Sequence, residues 1–411
     1  MDRAKELIQV KKTILYVAPG PLEIPSLRGG GKEEQEFQMA RSLSGQFKTI
    51  IISPTYWGRR GSLAIGNNLE IRYINFPAVR HYPSRNMRDV MLLTLMSPLY
   101  SFAATMSLLH PKYRRVDWLV VADSLSGIMP SILARVLGIP VIYREGNLAP
   151  WIIPWSGTKT RSTYQRIMWG ILKTGSCFIA GIAARTIVDN EIILTGMTKA
   201  GIDTRRLRVI HPGVDTEAFS PLVSSPSARH FKVGFIGRLT DEKGAALLLQ
   251  LCSLAVSELP ELRFIIMGDG PFKKYLSELP NVEHVGSVPR NELPVWISRV
   301  DALVFFQRAL GLGELEALAC GKSLLTLASS QANKFIRDLE SGLVCEANPQ
   351  SYLDGVRRLV SNPALVLKYS SNARQTAVKF FDQTITAHKW EKALLELEQR
   401  AQIGHGTRTR S

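Results

Sequence analysis

Cysteine is scarce in this chain and shows no pattern. Cys177, Cys252, Cys320 and Cys345 are its only thiols, far apart and without a CxxC pair, so neither a disulfide framework nor a zinc site is indicated and no metal is expected. Such usage fits a reducing, cytoplasmic setting. The N-terminal stretch MDRAKELIQVKKTILYVAPG lacks a long apolar run behind its basic residues, and ILYVA is too short for a signal peptide. Acidic residues are also in deficit, 35 Asp+Glu against 51 Lys+Arg, for a net charge of +16. The deficit is concentrated: residues 1–220 carry 28 basic against 16 acidic side chains, the remainder 23 against 19. An anionic partner for the first half follows. Nucleic acid is set aside, because no recognised binding motif accompanies the charge.

The 411 residues exceed what one hydrophobic core usually fills, and with 45% apolar residues two globular domains are expected. Short β-branched runs alternate with amphipathic helical stretches, the pattern of parallel sheets flanked by helices. The strand candidates are 13–18, 49–54, 69–76, 117–122 and 140–144 in the first half, and 231–237, 262–268, 302–306 and 323–327 in the second. A linker rich in Pro and Ser at 221–230 separates two doubly wound, Rossmann-like domains, 1–220 and 221–381.

In open α/β sheets ligands bind beyond the carboxyl ends of the strands. Gly29, Gly30 and Gly31 follow the first strand candidate and open a helix; consecutive glycines let backbone N–H groups approach a phosphate, and equally make a flexible surface loop. GRLTDEKG (237–244) is sharper. It sets Arg238 and Lys243 at a helix start between Gly237 and Gly244, where two cations would hold a diphosphate and stabilise it as a leaving group; the alternative is a solvated charge cluster. GDGP (268–271), with Gly270, is a tight turn on the same edge, a kind more often structural than functional. In RALGLGELEALACG (308–321) the glycines Gly311 and Gly313 open a short helix whose free N–H groups face an anion. Glu316, about one turn in, would accept hydrogen bonds from a ribose diol, or stand as an exposed helix glutamate.

Residues 90–109 are uncharged, flanked by Arg80, Arg85 and Arg88 on one side and Lys112, Arg114 and Arg115 on the other. A helix this long has three readings: buried in the first domain, lying in a lipid interface with basic flanks on anionic headgroups, or spanning the bilayer. Pro98 and the strand that follows argue against spanning. Trp151, Trp155 and Trp169 among basic residues at 150–173 support the interfacial reading. It implies a lipid or lipid-linked acceptor at an anionic membrane surface.

Together these motifs resemble a family-four retaining glycosyltransferase of the GT-B fold. The order of landmarks is GGG, VIHPGVDTEAFSP (209–221), GRLTDEKG, GDGP, VGSVPRNEL (285–293), ELEALACG (314–321) and SGLVCEANP (341–349). The resemblance implies two Rossmann-like domains facing across a cleft, with a final helix near 382–400 crossing back to the first domain ahead of a disordered basic tail. It also implies a metal-independent enzyme, with no cofactor, that uses a UDP- or GDP-linked sugar. Arg238 and Lys243 would hold the diphosphate, Glu316 the ribose, and Gly237, Gly270, Gly311 and Leu312 would line the donor site. Gly30 and Gly31 would close over the donor from the first domain.

Three departures stand out. The family pattern has two glutamates eight apart, and the position eight before Glu316 is Arg308. Glu314 is a poor substitute, because positions two apart on a helix point in different directions. Lys334 occupies the other position where a glutamate is expected, and Glu145 and Gly146 stand where the first domain commonly has a histidine. Arg and Lys offer no acceptors to a neutral sugar's hydroxyls but pair well with an anionic sugar such as a uronic acid. Two functions follow: an active transferase, or a non-catalytic nucleotide-sugar-binding or partner protein on the same fold.

Overall fold

The computed structural model describes residues 11–20, 23–25, 31–55, 61–77, 87–113, 115–147, 151, 163–222, 230–308, 310–330 and 332–408. Gly30, Trp155, Arg80, Arg85, Arg114 and most of the 221–230 linker lie outside them. The chain divides into two units, one built mainly on the residues up to Ile210 together with the C-terminal segment from Ala387, the other mainly on His211–Thr386.

Unit 1 holds β1 (Thr13–Val17), β2 (Lys48–Thr55), β3 (Gly61–Ile65), β4 (Leu69–Pro77), β5 (Trp118–Val121), β6 (Val141–Glu145), β7 (Arg185–Val188) and β8 (Leu207–Val209). Their order is β3-β4-β2-β1-β5-β6-β7-β8, parallel except for the antiparallel β3. Around them lie α1 (Gly31–Leu43), α2 (Met87–Leu108), α3 (Ile128–Val136), α4 (Thr163–Ile182) and α5 (Glu191–Lys199). Central strands are covered on both faces, so Ile50, Ile51 and Ile52 are all buried and read as a continuous apolar run.

Unit 2 is a six-stranded parallel sheet, β9 (Lys232–Ile236), β10 (Arg263–Met267), β11 (Val282–Gly286), β12 (Ala302–Phe305), β13 (Ser323–Leu327) and β14 (Gly342–Cys345), in the order β11-β10-β9-β12-β13-β14. Its helices are α6 (Ala245–Glu258), α7 (Lys273–Ser277), α8 (Leu293–Ser298), α9 (Leu312–Ala319), α10 (Asn333–Asp338), α11 (Pro349–Val360) and α12 (Pro363–Thr376). Alternation along the strands divides the core in two. Phe264, Ile266 and Val304 join one cluster, and Ile265, Met267, Leu303 and Phe305 the other. Helix starts are chemically marked: Asn348 accepts the Ser351 N–H ahead of Pro349 in α11, and Asn362 accepts the Leu365 N–H ahead of Pro363 in α12.

The final helix, α13 (Gln383–Arg408), enters unit 1, where Trp390 and Leu394 are fully buried. It remains helical beyond Arg400, the end expected from sequence. Strands β3, β7, β8, β11 and β14 were not marked by apolar runs. All five are only three to five residues long, too short for a period of two to register.

The apolar stretch 90–109 is α2, with Tyr100, Ala104 and Leu108 buried in the unit 1 core. Among the described residues no helix is long and apolar enough to cross a membrane, which removes the spanning alternative. Trp151 is also corrected: it is 6% exposed and packs in the core, against Gly196.

Candidate functional site

Both units place their chemistry at the carboxyl ends of strands. In unit 2 the strand order reverses between β9 and β12, and the loops leaving these two strands diverge to form the crevice typical of doubly wound sheets. Gly237–Gly244 leaves β9. Its path is set by close backbone approaches that only glycine permits: a Cβ on Gly268 would lie 1.8 Å from the Gly237 carbonyl oxygen, and one on Gly270 would lie 2.5 Å from that of Leu239. Amide donation from Gly237 to Met267 (3.0 Å) and from Leu239 to Asp269 (2.9 Å) completes the seam. The GDGP turn is thus the prop of the GRLTDEKG loop, a structural reason for Gly270 that needs no ligand. Gly244 caps α6 at φ +76, and a Cβ there would meet the Cβ of Phe306 at 2.3 Å.

Arg238 and Lys243, the expected diphosphate holders, have different surroundings. The Arg238 side chain is 37% exposed and its Nη2 lies 3.2 Å from Glu242 Oε2, four residues on. Lys243 turns inward: its Nζ donates to Gln307 Oε1, and Gln307 Nε2 donates to both oxygens of Glu314 at 2.6 Å. Glu314 Oε2 also accepts the Gly311 N–H at 3.1 Å, and a Cβ on Gly311 would lie 2.7 Å from Gln307 Nε2. Burial pushes the Glu314 carboxyl up to about 7, against the pull of the Lys243 charge and the Gln307 hydrogen bonds. Burial likewise pushes the Lys243 ammonium down, opposed by Glu314 and Glu242. The loops after β9 and β12 are joined by a half-buried cation and amide that lead to the buried Glu314 carboxylate.

Glu316 is 4% exposed, not an open helix glutamate, and its Oε1 lies 3.0 Å from Arg290 Nε. The Arg290 guanidinium in turn sits 5.2 Å from the Phe219 ring centroid. Glu314 and Glu316 do point in different directions, as their spacing requires, toward Gln307 and Arg290 respectively. Leu312 is half-buried as the first residue of α9. Arg308 is half-buried on the loop after β12, and its carbonyl oxygen accepts the Ser330 hydroxyl at 3.5 Å, tying that loop to the approach of α10. Lys334 is exposed, its Nζ 5.9 Å from the ring of its neighbour Phe335.

Gln307, Glu314 as a partner of Lys243, and Arg290 escaped the sequence reading. A glutamate three residues into a helix can return its carboxylate to the N-cap N–H, as Glu314 does to Gly311, but glycine offers no side chain for the reciprocal bond, so the local signal is weak. Nothing local connects Arg290 to Glu316 across the intervening elements.

In unit 1 Gly31 is the first residue of α1. A buried charged group gathers near it at the ends of β6 and β7. The Arg144 guanidinium pairs with Glu36 and reaches Asp189 at 3.0 and 3.1 Å. Glu145, the residue found in place of a histidine, accepts Ser176 Oγ at 2.5 Å, Asn147 N at 2.7 Å and Tyr143 OH at 2.8 Å, and burial pushes its carboxyl up. A Cβ on Gly146 would lie 2.6 Å from Asp189 Oδ2, so a side chain there would displace the carboxylate that Arg144 holds. Among the described residues no group of histidine, cysteine, aspartate or glutamate is arranged to hold a metal ion.

Residues 224–376 match the family model of glycosyl transferases group 1. A sulfoquinovosyl transferase of Arabidopsis thaliana is 29% identical over 205 residues, 46% of this chain and 38% of that protein. The chain spans about half or less of the length of the first curated relatives it matches. Among solved structures, a sucrose-phosphate synthase from Thermosynechococcus elongatus aligns with a TM-score of 0.74 at 15% identity, covering 97% of this chain and all of that one. Anabaena HepE in complex with UDP-glucose aligns at 0.66 and 16% identity, covering 93% and 99%. At these identities the structural matches establish the GT-B fold.

Proposed function

From the premise that residues 224–376 form a domain of the glycosyl transferases group 1 family, we propose that this chain moves a sugar from a nucleotide-diphosphate sugar to a lipid-linked or cell-envelope glycan acceptor. The transfer retains configuration, needs no metal, and takes place at the cytoplasmic face of an anionic membrane. The observation that carries the proposal is the Lys243–Gln307–Glu314 chain between the loops after β9 and β12, with Arg238 on the same loop as Lys243. A half-buried cation gives up part of its hydration, and an incoming diphosphate supplies a charged partner in its place; the same cation then stabilises that diphosphate as it leaves. Arg238 contributes a planar fork suited to phosphate oxygens. Glu316, anchored by Arg290, serves as the diol acceptor for the ribose.

Arg308 and Lys334 favour an anionic sugar, because neither offers an acceptor to a neutral hydroxyl. That one relative is named for sulfoquinovosyl transfer, a sugar bearing a sulfonate, supports this reading. Calorimetric titration of the full chain with UDP, GDP and a panel of their sugars tests it. Tight binding of one nucleotide with preference for an anionic sugar is expected, and Arg308→Glu should weaken that donor more than a neutral one. Equal loss for both would remove the anionic-sugar assignment. The same basic pair favours a second reading, a non-catalytic binder; bare nucleotide bound without discrimination among sugars would select it, and no binding of any nucleotide would overturn both.

A further inference from the structure

Folding accounts for one side of α2 but not the other. Opposite the buried Tyr100, Ala104 and Leu108, its outward side carries Leu95 (63% exposed), Leu99, Phe102 and Met106, spaced i, i+4, i+7, i+11. This spacing is a single row down one face of a helix. The next helix repeats the arrangement: Met129, Ile132 and Val136 (77% exposed) line one side of α3, while Pro130 and Ala134 are buried on the other. A third row, Ile167, Ile171 and Phe178, follows the α2 spacing along α4.

The three helices are neighbours. The Met129 N–H donates to Ser101 Oγ at 3.3 Å, joining α3 to α2, and Arg135 Nη1 donates to the Ile182 carbonyl at 3.4 Å, joining α3 to the end of α4. Single exposed apolar side chains are ordinary, but aligned rows on adjoining helices mark an interaction face.

Charge identifies the occupant. Apart from Asp89 in the first turn of α2, no aspartate or glutamate occurs on α2, α3 or α4, and none lies between the exposed rows, whereas Arg135, Arg166 and Lys173 are exposed on α3 and α4. An apolar surface with cations and no carboxylate complements acyl chains lying beneath phosphate headgroups. We propose that the joined face of α2, α3 and α4 seats unit 1 on an anionic lipid surface, its rows entering the boundary between headgroups and acyl chains. No described helix can cross the bilayer, so the face lies on the membrane. The inference deepens the membrane association proposed above and is independent of sugar transfer.

Flotation of the full chain with vesicles of phosphatidylcholine alone, or with phosphatidylglycerol added, tests it. Binding is expected with the anionic vesicles and should weaken as salt rises. Leu99→Glu, Phe102→Glu and Ile171→Glu should each reduce it roughly tenfold or more, since each removes one large apolar group from the lipid phase. Leu367→Glu, at an exposed apolar site on unit 2, should leave it intact. Unchanged melting temperature and nucleotide titration in the same variants separate this test from the transferase reading. Failure to bind either vesicle, undiminished flotation of the three row variants, or a self-associated chain that the row substitutions render monomeric would each overturn the proposal, the last by showing that a second copy covers the face.

Discussion

Glu314 has an acidity set by where it is buried, and the consequence is measurable. Its carboxyl is raised from 4.5 to about 7 in the folded chain. Below about pH 4.5 both folded and unfolded chains carry the proton. As pH rises toward 7 the unfolded chain releases it first, so this group lowers stability across that window by about 3 kcal/mol and no further above it. Lys243 is pushed down from 10.5, chiefly by burial, a direction that makes the folded chain more stable as pH rises toward 10.5. Glu314→Gln should therefore flatten the fall in thermal midpoint between about pH 4.5 and 7, which a melting series checks; an unchanged slope would place the titration elsewhere. Lys243→Ala should weaken nucleoside diphosphate binding by roughly tenfold to a hundredfold while barely altering nucleoside binding, as calorimetry would report. The two cations themselves were visible in GRLTDEKG. The carboxylate and amide that hold Lys243 were not, because Gln307 lies 64 positions away.

At the scale of elements, the loops after β9 and β10 depend on backbone packing that the motif conceals. Gly268 and Gly286 follow β10 and end β11, both at positive φ, yet their surroundings differ. A Cβ on Gly268 would collide with the Gly237 carbonyl at 1.8 Å, whereas one on Gly286 meets nothing within 4 Å. Gly286→Ala should lower stability by only about 1 kcal/mol, the conformational penalty alone. Gly268→Ala should cost several times that, roughly 3 kcal/mol or more, and displace the Gly237–Gly244 loop, so its nucleotide affinity should fall too. Paired urea and titration measurements on the two variants decide this, and equal stability losses would refute the collision argument. The same contrast explains which strands were legible: β2, β9, β10 and β12 are apolar runs bounded by turns, while β8 has three residues and β3 is exposed along most of its length.

For the whole molecule, the two units are not two consecutive halves, because α13 returns to the unit that begins the chain. Trp390 is fully buried in the unit 1 core, Arg185 pairs with Glu396 at 3.0 Å, and Lys12 pairs with Glu398. Trp390→Ala should cost about 3–5 kcal/mol as a cavity in unit 1. In a melt that resolves the units, the unit 1 transition should move while nucleotide binding to unit 2 persists; a shift confined to unit 2 would contradict the assignment of α13. The sequence by itself determined the class of fold, two Rossmann-like units, and marked the glycine- and cation-rich loops that follow their strands, since both are written in local periodicity and in residue spacing. Only the tertiary structure decided that Glu314 joins Lys243 through Gln307, that Arg290 anchors Glu316, and that the apolar stretch at 90–109 divides into a core face and an open face shared with α3 and α4. Each of these joins residues far apart in the chain, and burial, which sets their charge and exposure, arises only when the sheet and its helices are assembled.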